Sequence, residues 1–225
     1  FSKNNFSSEN SKYLKVKDFV EPREFKNSIT MNSSFYFELG KLMKNNGIKY
    51  LNEAFLLGQN FQDNGVYYTG NKYEPETIYV MDQFKVMMKS KIPLTWIDIH
   101  SGYGPKDQMS IINSQYERDV TNEMIEQCDY PSILGINDND IYDTDGDIIE
   151  KLYEIRNDKF RKTDFYATTL EFGTQGLNSV KAIESLKALM ARNHVRFIKQ
   201  SSKNEKYAIK LMKKQFAPTN EKWRM

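Results

Sequence analysis

Pro93–Pro105 reads PLTWIDIHSGYGP, and its reading decides the fold. Pro93 ends whatever precedes it, and Leu94–Ile99 is an apolar run too short for a core helix, which predicts a buried strand. Asp98 and His100 are two positions apart, so both project from one face of that strand. Two glycines and a proline follow, Gly102, Gly104 and Pro105, which predicts a loop whose backbone can approach a ligand closely. His100 is one of only two histidines in 225 residues. Ligands of open α/β sheets collect beyond the carboxyl ends of strands, which is the position His100 takes here.

The arrangement recurs downstream. Tyr166–Gly176, YATTLEFGTQG, predicts a second strand over Tyr166–Phe172 that carries Glu171 near its end and breaks at Gly173. A carboxylate at a buried strand end is costly unless it is paired, metal-bound or protonated. It can be met by backbone amides or a basic partner. Two strands that each finish in a titratable residue and a glycine-bearing loop point to one shared site. An imidazole and a carboxylate converging there suit metal-assisted hydrolysis, the imidazole ligating Zn²⁺ and the carboxylate taking a proton from the metal-bound water. A catalytic zinc, however, normally takes three protein ligands. No His-x-x-Glu and no His-Glu-x-x-His occurs in the chain.

Around these two strands the chain alternates. Residues 1–33, rich in Asn, Ser and Lys, read as loop, with an extended piece at Tyr13–Val20 stopped by Pro22. Ser33-Ser34 caps a helix to about Asn45, closed by Gly47, and residues 48–74 read as irregular. Pro75 opens a helix to Lys89 with Ile78, Met81, Phe84 and Met88 on one face. Residues 111–128 read as a helix and 131–147 as an acidic, turn-like stretch. A long helix from Leu177 carries Leu177, Val180, Ile183, Met190 and Phe197 on one stripe, and a last helix covers Lys203–Phe216 ahead of Pro218. Without a repeat or a linker, this pattern predicts a single α/β domain over 1–225.

Other candidates carry less. A calcium loop with Gly146 at its sixth position would put Ile141 first and Leu152 twelfth, neither of them an oxygen ligand. His194 falls on the apolar stripe of the long helix and reads as a hydrogen-bonded core histidine. Cys128, the single cysteine, reads as a small buried apolar residue. It excludes an internal disulfide and permits a reducing compartment, which tilts the expectation toward a cytoplasmic location. Thirty-two basic residues against 30 acidic ones give a net charge of +2 and no footprint for nucleic acid; Lys199–Lys214 reads as a solvated face. No apolar run reaches the roughly 18 residues of a membrane span. Tyr67, Tyr68 and Tyr103 read either as pocket lining or as ordinary aromatic packing.

WIDIHSGYGP together with TLEFGT resembles the zinc carboxypeptidase superfamily. The branch it is most similar to is marked by Asp-x-His-[Ser/Thr]-Gly-x-Gly-Pro and Glu-Phe-Gly-Thr. GQNFQDNGVYYTG (Gly58–Gly70) resembles a Gly-Gln-x4-Pro-x-Gly-x-Phe-Tyr-Gly-Gly segment of that branch, with Asp63 at its proline and Thr69 at a glycine. LKALMARNHVRF and FAPTNEKW resemble its later helix and its carboxyl-terminal Tyr-Pro-x4-Trp. The order holds over residues 50–225. The resemblance implies a mixed, mostly parallel sheet of about eight strands flanked by helices. It implies hydrolysis of a peptide or small amide substrate, with Zn²⁺ as cofactor. His100 matches the family's third zinc ligand and Glu171 its general base. The family's other ligands, in a His-x-x-Glu motif, lie upstream of anything in this sequence. FSKN at the start matches a remnant of the next motif, with Lys3 at its substrate-binding Arg. Lysine there lacks the bidentate fork of arginine. Tyr103 is a second expected substrate contact. The chain is therefore expected to be the later part of an active enzyme, incomplete at its amino terminus, and to hold zinc poorly by itself. The alternative is a metal-free, non-catalytic binding module that keeps the fold.

Overall fold

A computed structural model describes residues 10–21, 28–130, 132–135, 147–174, 176, 179–197, 202–219 and 221. In chain order the elements are α1 (Ser11–Val20), α2 (Ser28–Asn46), α3 (Ile48–Leu56), α4 (Pro75–Lys89), β1 (Leu94–Gly102), β2 (Met109–Asn113), α5 (Arg118–Gln127), β3 (Ile133–Gly135), α6 (Ile148–Lys159), β4 (Phe165–Gly173), α7 (Ser179–Phe197) and α8 (Ser202–Phe216). They fall into two compact units, Phe1–Asn4 with Asn71–Gly176, and Asn5–Gly70 with Leu177–Met225.

The first unit is α/β. Its mixed sheet has the order β1-β4-β2-β3. β1 runs parallel to β4, β2 runs parallel to β3, and β2 meets β4 antiparallel. The described residues supply these four strands of the about eight that the resemblance implies. One sheet face presents Phe165 and Ala167 of β4 and, from β1, the partly buried Leu94 and Trp96. Met81, Phe84 and Met88 of α4 pack there with Ile148, Ile149, Leu152 and Tyr153 of α6. On the opposite face Met124 of α5 lies at hydrogen-bond range of Asn113 and Tyr166. The expected strands at Leu94–Ile99 and Tyr166–Phe172 are present, β1 running on past His100 to Gly102. β1 is not the buried strand expected, because it is the outer strand among those described: none of its residues is buried, and Thr95, Ile97 and Ile99 are exposed. The Pro75 helix is present too, but only Met81, Phe84 and Met88 of its expected face are buried, while Ile78 is exposed.

Residues 111–128 do not form one helix. Ile111 and Ile112, a β-branched pair, lie in β2 between β4 and β3, and the helix begins only at Arg118. Helix α6 was not legible beside the acidic stretch. Asp147 caps it by accepting from the Ile149 amide, at 2.7 Å. Leu152 is fully buried in the core. The first six calcium-loop positions, 141–146, lie outside the described residues. Cys128 is exposed rather than buried, because it stands at the carboxyl end of α5 where the helix turns into extended chain.

The second unit is helical. Tyr13–Val20 is helix rather than strand: Tyr13, Val16 and Val20 recur at helical spacing and are buried, and Asn10 caps the Tyr13 amide. Helix α2 begins at Ser28, before Ser33-Ser34, because burial of Phe35 and Leu39 carries the helix through two residues of only middling propensity. Residues 48–56 are helical as well, with Leu51, Ala54 and Phe55 buried. Leu186 and Met190 of α7 join this core. Of the expected α7 stripe, Ile183 is partly buried, Met190 is buried and Phe197 is exposed; Leu177 and the Val180 side chain lie outside the described residues. His194 is buried, and burial lowers its pKa. The Gly58–Gly70 segment is a tight loop about Gln59, whose side chain accepts from the Phe61 and Gln62 amides and donates to the Gln62 carbonyl. Tyr67 stacks on Phe55 and so belongs to packing. None of the described helices is long and apolar enough to cross a membrane.

Candidate active site

The parallel register of β1 and β4 sets His100 beside Glu171. Both side chains therefore leave the same sheet face near the ends of adjacent strands. His100 Nδ1 lies 3.6 Å from Glu171 Oε2, an ion-pair separation rather than a hydrogen bond. On its other side, Nε2 of the ring donates to Asp98 Oδ2 at 3.1 Å. The imidazole thus sits between two carboxylates. Asp98 first and Glu171 second hold its pKa up to about 10, against the opposing effect of burial. The same hydrogen bond holds the Asp98 carboxyl below its ordinary range. Burial at the start of α6 pushes the Asp147 carboxyl up, with smaller contributions from Glu150 and Asp98.

Glu171 finds both of the partners that a buried strand-end carboxylate calls for. The backbone amide of Tyr103 donates to its Oε1 at 3.1 Å, and His100 faces its Oε2. Its side chain is 8 % exposed, whereas that of His100 is 43 % exposed. The ring is the approachable member of the pair and the carboxylate is the enclosed one.

Of the expected site residues, His100 and Glu171 are together. Tyr103 reaches the site through its main chain, its side chain being partly buried. Lys3 lies outside the described residues. Two further residues join the site, Asp98 and Asp147. The signal for Asp98 was its two-residue spacing from His100; that for Asp147 was an aspartate immediately before the apolar pair Ile148-Ile149.

The donor chemistry, imidazole and carboxylate, suits zinc. Yet among the described residues no group of three His, Cys, Asp or Glu side chains is disposed to hold a metal ion. His100 can supply one ligand, and these residues do not by themselves complete a zinc site.

The model of a protein family of unknown function, DUF2817, matches residues 1–225. The chain belongs to the DUF2817 family. No curated protein and no solved structure matches it.

Proposed function

We propose that this DUF2817 chain carries the imidazole-and-base half of a zinc-dependent hydrolase of the carboxypeptidase type, acting on a peptide or small amide bond. The observation that carries the reading is the juxtaposition of His100 and Glu171 at paired positions of two parallel strands. Asp98 accepts from Nε2 and fixes the ring plane, so that Nδ1 is the nitrogen directed toward Glu171. In a protein that also supplies the His-x-x-Glu ligands, Nδ1 would hold the zinc. The metal, when bound, would supply Lewis acidity and a water of lowered pKa. Glu171 is the proton carrier of this site. Its Oε2 accepts a proton from the attacking water and delivers it to the leaving amine nitrogen, and its enclosure limits competition from bulk water. The carboxypeptidase-like fold remains part of the same proposal.

A second reading, a metal-free binding module, is favoured by one observation: both ring nitrogens of His100 already face carboxylates. The two readings separate on Glu171→Gln in the full-length protein. The amide keeps the shape and removes the base. Hydrolysis of a panel of blocked dipeptides should be lost with metal content unchanged. Full retained turnover would overturn the hydrolase reading, as would a full-length protein that takes up no zinc and cleaves nothing.

A further inference from the structure

We infer that the loop Gly102–Gln108 is a strap that positions Glu171, acting through the main-chain amide of Tyr103. The inference rests on the proposed role of Glu171 as base and adds how that base is aimed.

The loop is tied to the end of β4 by main-chain bonds. The Asp107 amide donates to the Gly173 carbonyl at 2.9 Å, and the Gly173 amide donates to the Gln108 carbonyl at 2.8 Å. Thr174, buried, donates through its hydroxyl to the Gly102 carbonyl at 3.2 Å. Between these ties the chain passes so close to β4 that only glycine fits at 173: a Cβ there would overlap the carbonyl group of Pro105. Gly104 is buried, has φ of +102°, and a Cβ on it would lie 3.2 Å from Ser110 Oγ. Gly102 has φ of +142°. The glycines of the two motifs thus have one shared purpose. They let the loop after β1 lie against the end of β4, where the Tyr103 N–H meets Glu171 Oε1.

A glutamate carboxylate turns easily about its last torsion. An amide bonded to one oxygen removes that freedom and fixes the carboxylate plane. With Oε1 held by Tyr103, Oε2 is the oxygen left toward His100. Proton transfer then has one defined acceptor atom in one defined orientation, which is the condition for efficient general-base action. Tyr103 is a positioning residue, and its contribution comes from a main-chain group that only proline lacks.

Two variants of the full-length protein attack the strap from different sides. Tyr103→Pro removes the N–H. Gly173→Ala pushes the loop off β4 and leaves the N–H intact. Each should lower kcat on the same blocked dipeptides by about a hundredfold, with KM within about twofold. Amide hydrogen exchange supplies a readout apart from activity. The Tyr103 amide should be protected in the native protein and lose that protection in Gly173→Ala and in Glu171→Ala, while the β4 amides that pair within the sheet before position 173 keep theirs. A Tyr103 amide that is unprotected in the native protein overturns the strap. So does unchanged kcat in Gly173→Ala once the Tyr103 amide has been released. If Glu171→Gln abolishes turnover and neither loop variant alters it, the strap falls and the hydrolase reading stands. If Glu171→Gln is fully active, the hydrolase reading falls and the strap's catalytic role with it.

Discussion

Strands β1 and β4 are built to one plan and live in different surroundings. Each is nine residues long, each carries a titratable residue two positions before its last glycine, and they pair in parallel over their whole length. Yet β4 lies between β1 and β2, while β1 is the outer strand among those described. The outward-turned Ile97 and Ile99 are 54 % and 69 % exposed. On β4, Phe165, Ala167, Thr168, Thr169, Glu171 and Gly173 are all buried. The same motif therefore gives an enclosed carboxylate on one strand and an approachable imidazole on the other. A base benefits from a dry and rigid setting, and a ligand donor must be reachable. Lateral position in the sheet, rather than local sequence, suits the one residue to the proposed base and the other to the proposed ligand.

The contrast breaks most visibly in the core that supports β4. Phe84 is fully buried and meets the Phe165 ring edge-on, with centroids 4.9 Å apart. Phe84→Ala should cost about 3–5 kcal/mol, read as a loss in the free energy of chemical denaturation. Tyr153 comes next. β2 pairs with β4 only from Thr168 to Phe172, so the Ala167 amide lies beyond that ladder. It donates instead to the Tyr153 hydroxyl at 2.8 Å, and that hydroxyl donates to Glu117 at 2.7 Å. Burial, reinforced by Glu117, keeps the phenol protonated by raising its pKa. Tyr153→Phe leaves the buried amide unpaired and should cost about 1–3 kcal/mol by the same measurement.

The two histidines sharpen the comparison through pH. His100 has its pKa raised from 6.5 to about 10 by Asp98 and Glu171. Its pairing is therefore fully stabilising below pH 6.5, and that contribution fades as pH rises through about 10. The stability gap between the native chain and His100→Gln should be widest near pH 6 and close in alkali. His194 has its pKa lowered from 6.5 by burial. Its contribution is present above pH 6.5 and lost as pH falls through the depressed folded value. His194→Gln should remove an acid-side slope, the opposite signature. Denaturation profiles of both variants between pH 5 and 10 check the two signs. The ring of His100 is partly exposed, so its effect should be smaller than that of either core substitution.

How far the sequence was legible follows the same division between local and lateral information. The strands at Leu94–Ile99 and Tyr166–Phe172 were readable because apolar runs of strand length were followed by glycine-bearing loops, although β1 and β4 extend beyond those bounds. Pro75 marked the start of α4, and Pro218 the limit of α8. The juxtaposition of His100 with Glu171 could be suspected from the repeated strand-end pattern, but register alone produces it. Helix α1 was misread because a Ser- and Lys-rich setting masked the spacing of Tyr13, Val16 and Val20. β2 was misread because Ile111 and Ile112 stand only a few residues before a helix, and their partners, β3 and β4, are distant in sequence. The strap was invisible for a different reason. A backbone amide has no letter of its own, and the traces of its placement are the glycines at 102, 104 and 173.

The smallest expected effect lies on the exposed side of β1. Ile97→Ser replaces a half-exposed side chain on a strand that is already outer among those described. The stability of the isolated chain should move by no more than about 0.5 kcal/mol, far less than for either core substitution. Its effect on association should be larger than on stability, because an outer strand with an apolar face is a template for pairing with other chains. Light scattering during refolding is the measurement, with less aggregate expected from Ile97→Ser than from the native chain. A destabilisation comparable to that of Phe84→Ala would mean that Ile97 is covered in solution. β1 would then be as enclosed as β4, and the division between a reachable imidazole and a sheltered carboxylate would no longer hold.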